Sequence, residues 1–186
     1  MNFKRSIKKF ILRTFCAKFD PKILYSHVKF MDSLFVNSLL EDLKNSDEKV
    51  REQATKKLWR IWYQQKGIYG LEMIERSQKL LDSGQTSKAE AVLTELINEQ
   101  PDFAEAWNRR AFLYYTTSQY EKSLADCLMT IQINPVHFGA LHGMGLSYAA
   151  LREYAKAIAA FKRALAIQPY SLVNQKLILE CSYRLS

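Results

Sequence analysis

Few side chains in this sequence could do chemistry, and they are unevenly placed. The 186 residues hold three histidines, His27, His137 and His142, and three cysteines, Cys16, Cys127 and Cys181. Cys127, His137 and His142 share one stretch, CLMTIQINPVHFGALHGMGLSYAAL (127–151), that has no Asp, Glu, Lys or Arg. Such a run raises a metal site, an imidazole-activated nucleophile or a membrane span. Close metal-ligand pairs need short spacings, as in C-x-x-C or H-E-x-x-H. His137 and His142 are five apart, which on a helix turns them to different faces. No Ser or Cys stands near a histidine at a known nucleophile spacing. A spanning helix needs about 20 predominantly apolar residues, and Gln132, Asn134, Pro135 and both histidines interrupt this one. With no phosphate loop or dinucleotide fingerprint either, the sequence predicts no catalytic residue, no metal and no cofactor: not an enzyme.

The elements that carry these residues are predicted to be helical throughout. Hydrophobic content of 48% with 25% charged residues is enough to bury a core. Alternating strand patterns are scarce, and six glycines with four prolines are few. An odd, scattered set of cysteines fits a reducing compartment, the bacterial cytoplasm or an organelle stroma or matrix, better than a disulfide framework. The net charge of +8 is concentrated at one end. Residues 1–30 carry eight lysines and arginines against Asp20 alone, which leaves the rest of the chain at +1. A balanced body argues against a nucleic-acid surface.

Pro101, Pro135 and Pro169 are each 34 residues apart. Windows 70–103, 104–137 and 138–171 align column by column: Met73, Trp107 and Leu141; Ser77, Ala111 and Gly145; Leu80, Tyr114 and Tyr148; Ala89, Ser123 and Ala157; Leu93, Cys127 and Phe161. Large, small and aromatic residues at i, i+4 and i+7 build one buried helix stripe. The small column lets a neighbouring helix come close. Breaks at DSGQT, TTSQY and LREY turn the chain into a second helix that ends near the proline. The charge-free stretch is thus the second helix of one unit, a turn, and the first helix of the next.

These columns resemble the tetratricopeptide repeat, with its 34-residue period and W-x2-L-G-x2-Y…A-x3-F…P pattern. LHGMGLSY (141–148) followed by AIAAF and Pro169 matches it best; WNRRAFLYY (107–115) matches with Arg110 at a usually apolar place, and the first copy is degenerate. The chain also looks like small bacterial, cyanobacterial and plastid tetratricopeptide adaptors. The resemblance implies an all-α solenoid of three helical hairpins, 70–103, 104–137 and 138–171, between helical caps at 32–69 and 172–186. It implies a protein–protein interaction adaptor whose first helices line a concave groove for a peptide or protein client: Ile74, Gln78 and Leu81; Asn108, Phe112 and Tyr115; His142, Leu146 and Ala149. One subclass clamps chaperone C-terminal carboxylates with Lys, Arg and Asn. Here the matching places hold Ile74, Gln78, Arg109, Gly139 and Gly143, so that clamp is not reproduced.

Upstream, DSLFVNSLLEDLKN and SDEKVREQATKKLWRIWYQQKG read as two helices, and Trp59 and Trp62 are expected to dock the second on the first repeat. Trp107 is expected to be a main buried anchor. Residues 1–31 form a separate basic arm. Within 1–19, Phe3, Ile7, Phe10, Ile11 and Phe15 recur at helical spacing among Lys4, Arg5, Lys8, Lys9 and Arg13. Three readings stay open: a helix on an anionic membrane surface, an organelle presequence, and a cap whose charges are solvated. The first gives the alternative function, a membrane-peripheral assembly factor or chaperone.

Overall fold

A computed structural model of the chain describes residues 33–185. The chain divides into two compact units, Met1–Glu41 and Asp42–Ser186. The described part of the first unit, residues 33–41, is helical, and that helix (α1, residues 33–42) ends one residue past the boundary. The basic arm, with all three of its readings, lies outside the described residues. The second unit holds α2 (Glu48–Gln64), α3 (Gly67–Asp82), α4 (Thr86–Glu99), α5 (Ala104–Thr116), α6 (Tyr120–Ile133), α7 (Phe138–Ala150), α8 (Tyr154–Ile167) and α9 (Leu172–Leu185). From α3 onward each helix packs on the next, so α3/α4, α5/α6 and α7/α8 are consecutive hairpins and α9 closes on α8. None of the described helices is long and apolar enough to cross a membrane.

The 34-residue period is visible in the backbone. Gly84, Ser118 and Arg152 take φ of 74°, 59° and 62°, the left-handed conformation that ends a helix. Each is flanked by the same pair of bonds. Gln85, Gln119 and Glu153 donate their N–H to Leu80, Tyr114 and Tyr148 at 2.8, 2.8 and 2.9 Å. Gly84, Ser118 and Arg152 donate to Leu81, Tyr115 and Ala149 at 2.9, 3.0 and 3.0 Å. Only the first copy uses glycine, which takes this φ without strain. The residue entering each second helix is then gripped by a lysine three positions on: Lys88 on Gln85, Lys122 on Gln119, Lys156 on Glu153.

Within a hairpin the small column sets how closely the helices approach. A Cβ built on Gly145 would lie 2.4 Å from Cε1 of Phe161, and Phe161 is fully enclosed. The aromatic ring occupies the space that glycine leaves. Between hairpins the core is continuous: Ala111, Cys127, Ile131, Leu141, Met144 and Ala164 come from four helices and form one cluster.

Two residues depart from the repeat pattern for visible reasons. Trp107, expected to be an enclosed anchor, is only half-buried. Its indole N–H donates to the Pro101 carbonyl at 2.9 Å, so the ring must reach the edge of the stack. Arg110 stands at a usually apolar place because it has a partner there, forming a forked pair with Asp126 at 2.7 and 3.0 Å. It also donates to Thr94 at 3.0 Å, tying the first hairpin to the second.

Gly145→Ala is expected to lower stability. Overpacking costs about 1–3 kcal/mol, and the helix-propensity gain of about 1 kcal/mol from Gly to Ala offsets only part of it. Thermal unfolding followed by circular dichroism measures the net; an unchanged or raised midpoint would show that the α7–α8 approach is not set by this glycine.

Candidate functional site

The first helices α3, α5 and α7 share one face of the stack, and α2 lies across it. Leu58 and Ala54 of α2 are enclosed and Trp62 is nearly so. The expected docking of Trp59 and Trp62 on the first repeat is corrected by their contacts. Trp62 stacks on His137 with centroids 4.3 Å apart, and Trp59 meets His137 and Phe138 edge-on at 5.4 Å each. Both tryptophans therefore engage the start of the third hairpin. Tyr63 is the α2 aromatic that packs on the first-hairpin cluster. At its other end α2 reaches the α8–α9 turn, where Gln168 donates to Thr55 at 3.3 Å and Arg51 lies 4.1 Å over the Tyr170 ring.

Gly139 explains why the indole can come so close. A Cβ there would sit 2.6 Å from Trp59 Cη2. Beneath the tryptophans runs a buried polar chain. His137 Nδ1 accepts the Ala140 N–H at 3.0 Å and so caps α7, which leaves the proton on Nε2 to be donated to Glu105 at 3.0 Å. His137 and Glu105 are both fully buried. Glu105 also accepts from Arg109 Nε at 2.8 Å and from Asn108. Arg109 is held further by Gln78 at 3.3 Å and by the Tyr63 ring at 4.8 Å. Burial pushes the Arg109 guanidinium below the ordinary arginine pKa. His137, weighed in the sequence as a metal ligand, is a structural cap. His142 is paired as well, through Nδ1 to Asn174 Oδ1 at 2.7 Å.

Beside Trp59 the face opens into a cleft of about 300 Å³ between α5 and α7. It brings together five of the nine expected groove residues: Asn108, Phe112, Tyr115, His142 and Leu146. The other four lie elsewhere. Ile74 is core, 2% exposed; Leu81 packs against Ala89, Leu93, Leu113 and Tyr114; Ala149 packs around Phe161 and Cys181; Gln78 is engaged by Asp82 and Arg109. Trp59, Arg109, Ala111, Ser123, Cys127, Gly139 and Gly143 complete the lining. Gly139 and Gly143 are legible in sequence as clamp positions without clamp residues, but no local signal brings Trp59 here. Burial pushes the Cys127 thiol up to about 12, so at neutral pH it stays protonated and is a poor nucleophile. A more open hollow of about 430 Å³ near Arg51, Gln168 and Tyr170 is lined largely by charged and polar side chains.

The hairpins, their repeated turns and the lined first-helix face define a repeat protein of helical pairs. Models of the tetratricopeptide repeat match residues 74–137 and 139–171, together just over half the chain, and the chain belongs to that family. A TPR repeat-containing protein of Rhizobium etli is 33% identical over 104 residues, covering 56% of this chain and 51% of that protein. A BBSome complex member homologue of Drosophila melanogaster is 23% identical over 103 residues, 55% of this chain and 20% of that one. The chain thus spans about half or less of these curated relatives. Among solved structures, the first TPR of Spaghetti bound to the HSP90 peptide SRMEEVD has a TM-score of 0.60 at 20% identity, covering 62% of this chain and 91% of that one. The MamA protein has a TM-score of 0.59 at 18% identity, covering 74% and 73%. At these identities the likeness is one of fold.

Glu105→Ala is expected to destabilise the protein by about 3–5 kcal/mol, because it strands a buried imidazole N–H and a largely buried guanidinium. Glu105→Gln keeps an acceptor and should recover part of the loss. Urea unfolding of both variants tests this; a Glu105→Ala value within about 0.5 kcal/mol of the parent would mean that the chain of polar groups carries no net stability.

Proposed function

We propose that this protein is a non-catalytic adaptor that grips a segment of a partner protein in the cleft between α5 and α7, against Trp59. The observation that carries this reading is an open, mostly apolar cleft on the first-helix face, with Phe112 left 49% exposed at its rim. Large apolar side chains rimmed by a few polar groups suit a protein segment: aromatic area supplies the grip, and Asn108 supplies backbone-directed hydrogen bonding. In the lining, the Cys127 thiol is held protonated by burial and the buried Ser123 hydroxyl accepts from Ser147 at 3.0 Å.

The lining also favours one kind of segment. The HSP90 peptide held by the Spaghetti repeat, SRMEEVD, is acidic. The guanidinium at this cleft, Arg109, is already neutralised by Glu105 at 2.8 Å, and Gly139 and Gly143 carry no charge. A desolvated carboxylate would therefore meet no uncommitted cation in the lining, whereas an uncharged apolar side chain incurs no such cost. The partner segment is an apolar one.

Phe112→Asp should weaken capture of the partner by about tenfold or more while leaving helicity and the melting midpoint unchanged, since the side chain is half exposed. Leu128→Asp on α6, exposed to a similar degree at 48%, is the matched control and should leave capture intact. Affinity capture with the parent and both variants, followed by mass spectrometry, compares them directly. Loss with Leu128→Asp and retention with Phe112→Asp would place recognition on the opposite face.

A further inference from the structure

α9 buries one side and exposes another that is just as apolar. Leu177, Ile178 and Cys181 face the Phe161 cluster, and buried Asn174 bonds His142 of α7. On the opposite side, Leu172, Leu179 and Tyr183 are 76%, 71% and 84% exposed, with Val173 beside them at 60%. With Lys176, positions 172, 176, 179 and 183 form a single helical stripe at i, i+4, i+7 and i+11.

The repeat register identifies this stripe. Leu179 stands 34 residues after Gly145 and 68 after Ala111, in the small column. Gly145 is the point where α7 receives its own second helix, at a distance no Cβ would allow. The outer face of α9 is therefore the seat of a second helix, and among the described residues none follows to fill it. Leucine in the small column changes what that seat accepts. It holds an incoming helix out at the ordinary interaxial distance of about 8–10 Å, where leucines interdigitate, and excludes the close approach used in the three hairpins.

We propose that the occupant is α9 of a second copy of this chain, packed antiparallel about a two-fold axis at the level of residue 178 on the face that carries Leu179. Charge selects both the occupant and the direction. Lys176 and Glu180 flank Leu179 on the exposed side, 3.8 Å apart within one helix. Antiparallel pairing sets Lys176 of each copy opposite Glu180 of the other. Parallel pairing would oppose lysine to lysine and glutamate to glutamate. A two-fold interface must complement itself, and this stripe does so in one orientation only. One helix pair is a small interface, so the dimer is reversible and forms in the micromolar range.

Sedimentation equilibrium of the full chain, from low to high micromolar concentration, tests this. The average mass should climb from that of the monomer toward twice that value. Leu179→Glu should weaken association about tenfold or more with circular dichroism unchanged, because the side chain is exposed. Lys176→Glu places like charges across the axis and should also weaken it, and the swap Lys176→Glu/Glu180→Lys should restore it. A monomer at every concentration overturns the proposal, as does a dimer indifferent to Leu179→Glu. A double swap that fails to recover association overturns the antiparallel arrangement.

Discussion

A short helical hairpin has apolar surface on two sides and can cover only one of them by folding on itself. The rest of this structure follows from that constraint. Each second helix is sandwiched between its own first helix and the next, so Ala111, Cys127 and Leu141 share one core though they come from three helices of two hairpins. The sharing works only if the hairpins are alike in depth. The left-handed turns at Gly84, Ser118 and Arg152 and the small column at Ser77, Ala111 and Gly145 keep them alike. On α9, the last helix among the described residues, the face away from α8 leaves Leu172 and Leu179 exposed.

The other surface the stack must manage is the face formed by its first helices. Here α2 covers part of it, and the chemistry at the contact is unusual in combining stacked aromatics with buried charge. Glu105 would be costly alone in a dry interior. It is retained with His137 on one side and Arg109 on the other, and the imidazole is sealed from water by Trp62. The same arrangement sets the electrostatics of the neighbouring cleft. By pairing with Arg109, Glu105 leaves aromatic, aliphatic, amide, imidazole, hydroxyl, thiol and glycine groups as the rest of the lining beside Trp59. An internal contact thus sets the chemistry of the neighbouring cleft.

The sequence by itself determined the repeat. The proline spacing, the small column and the aromatic column require no knowledge of distant contacts, since periodicity within a helix is a local property. Helix existence was equally legible, down to the hairpin breaks, because the turn residues are adjacent in sequence. Five of the nine expected groove positions come together through the register of the repeat on α5 and α7; the sixth on those helices, Ala149, packs around Phe161 and Cys181 instead. Tertiary structure decided the rest. Ile74 and Leu81 occupy matching register positions on α3, yet Ile74 joins the cluster that Tyr63 of α2 packs against and Leu81 packs against the cluster of Leu113 and Tyr114. Trp59 and Trp62 reach His137, far along the chain, and Gly139 admits the indole by lacking a side chain. No pattern within α2 encodes such a contact: an amphipathic helix announces that it will bury a face, and only the shape and charge of the surface it meets determine where.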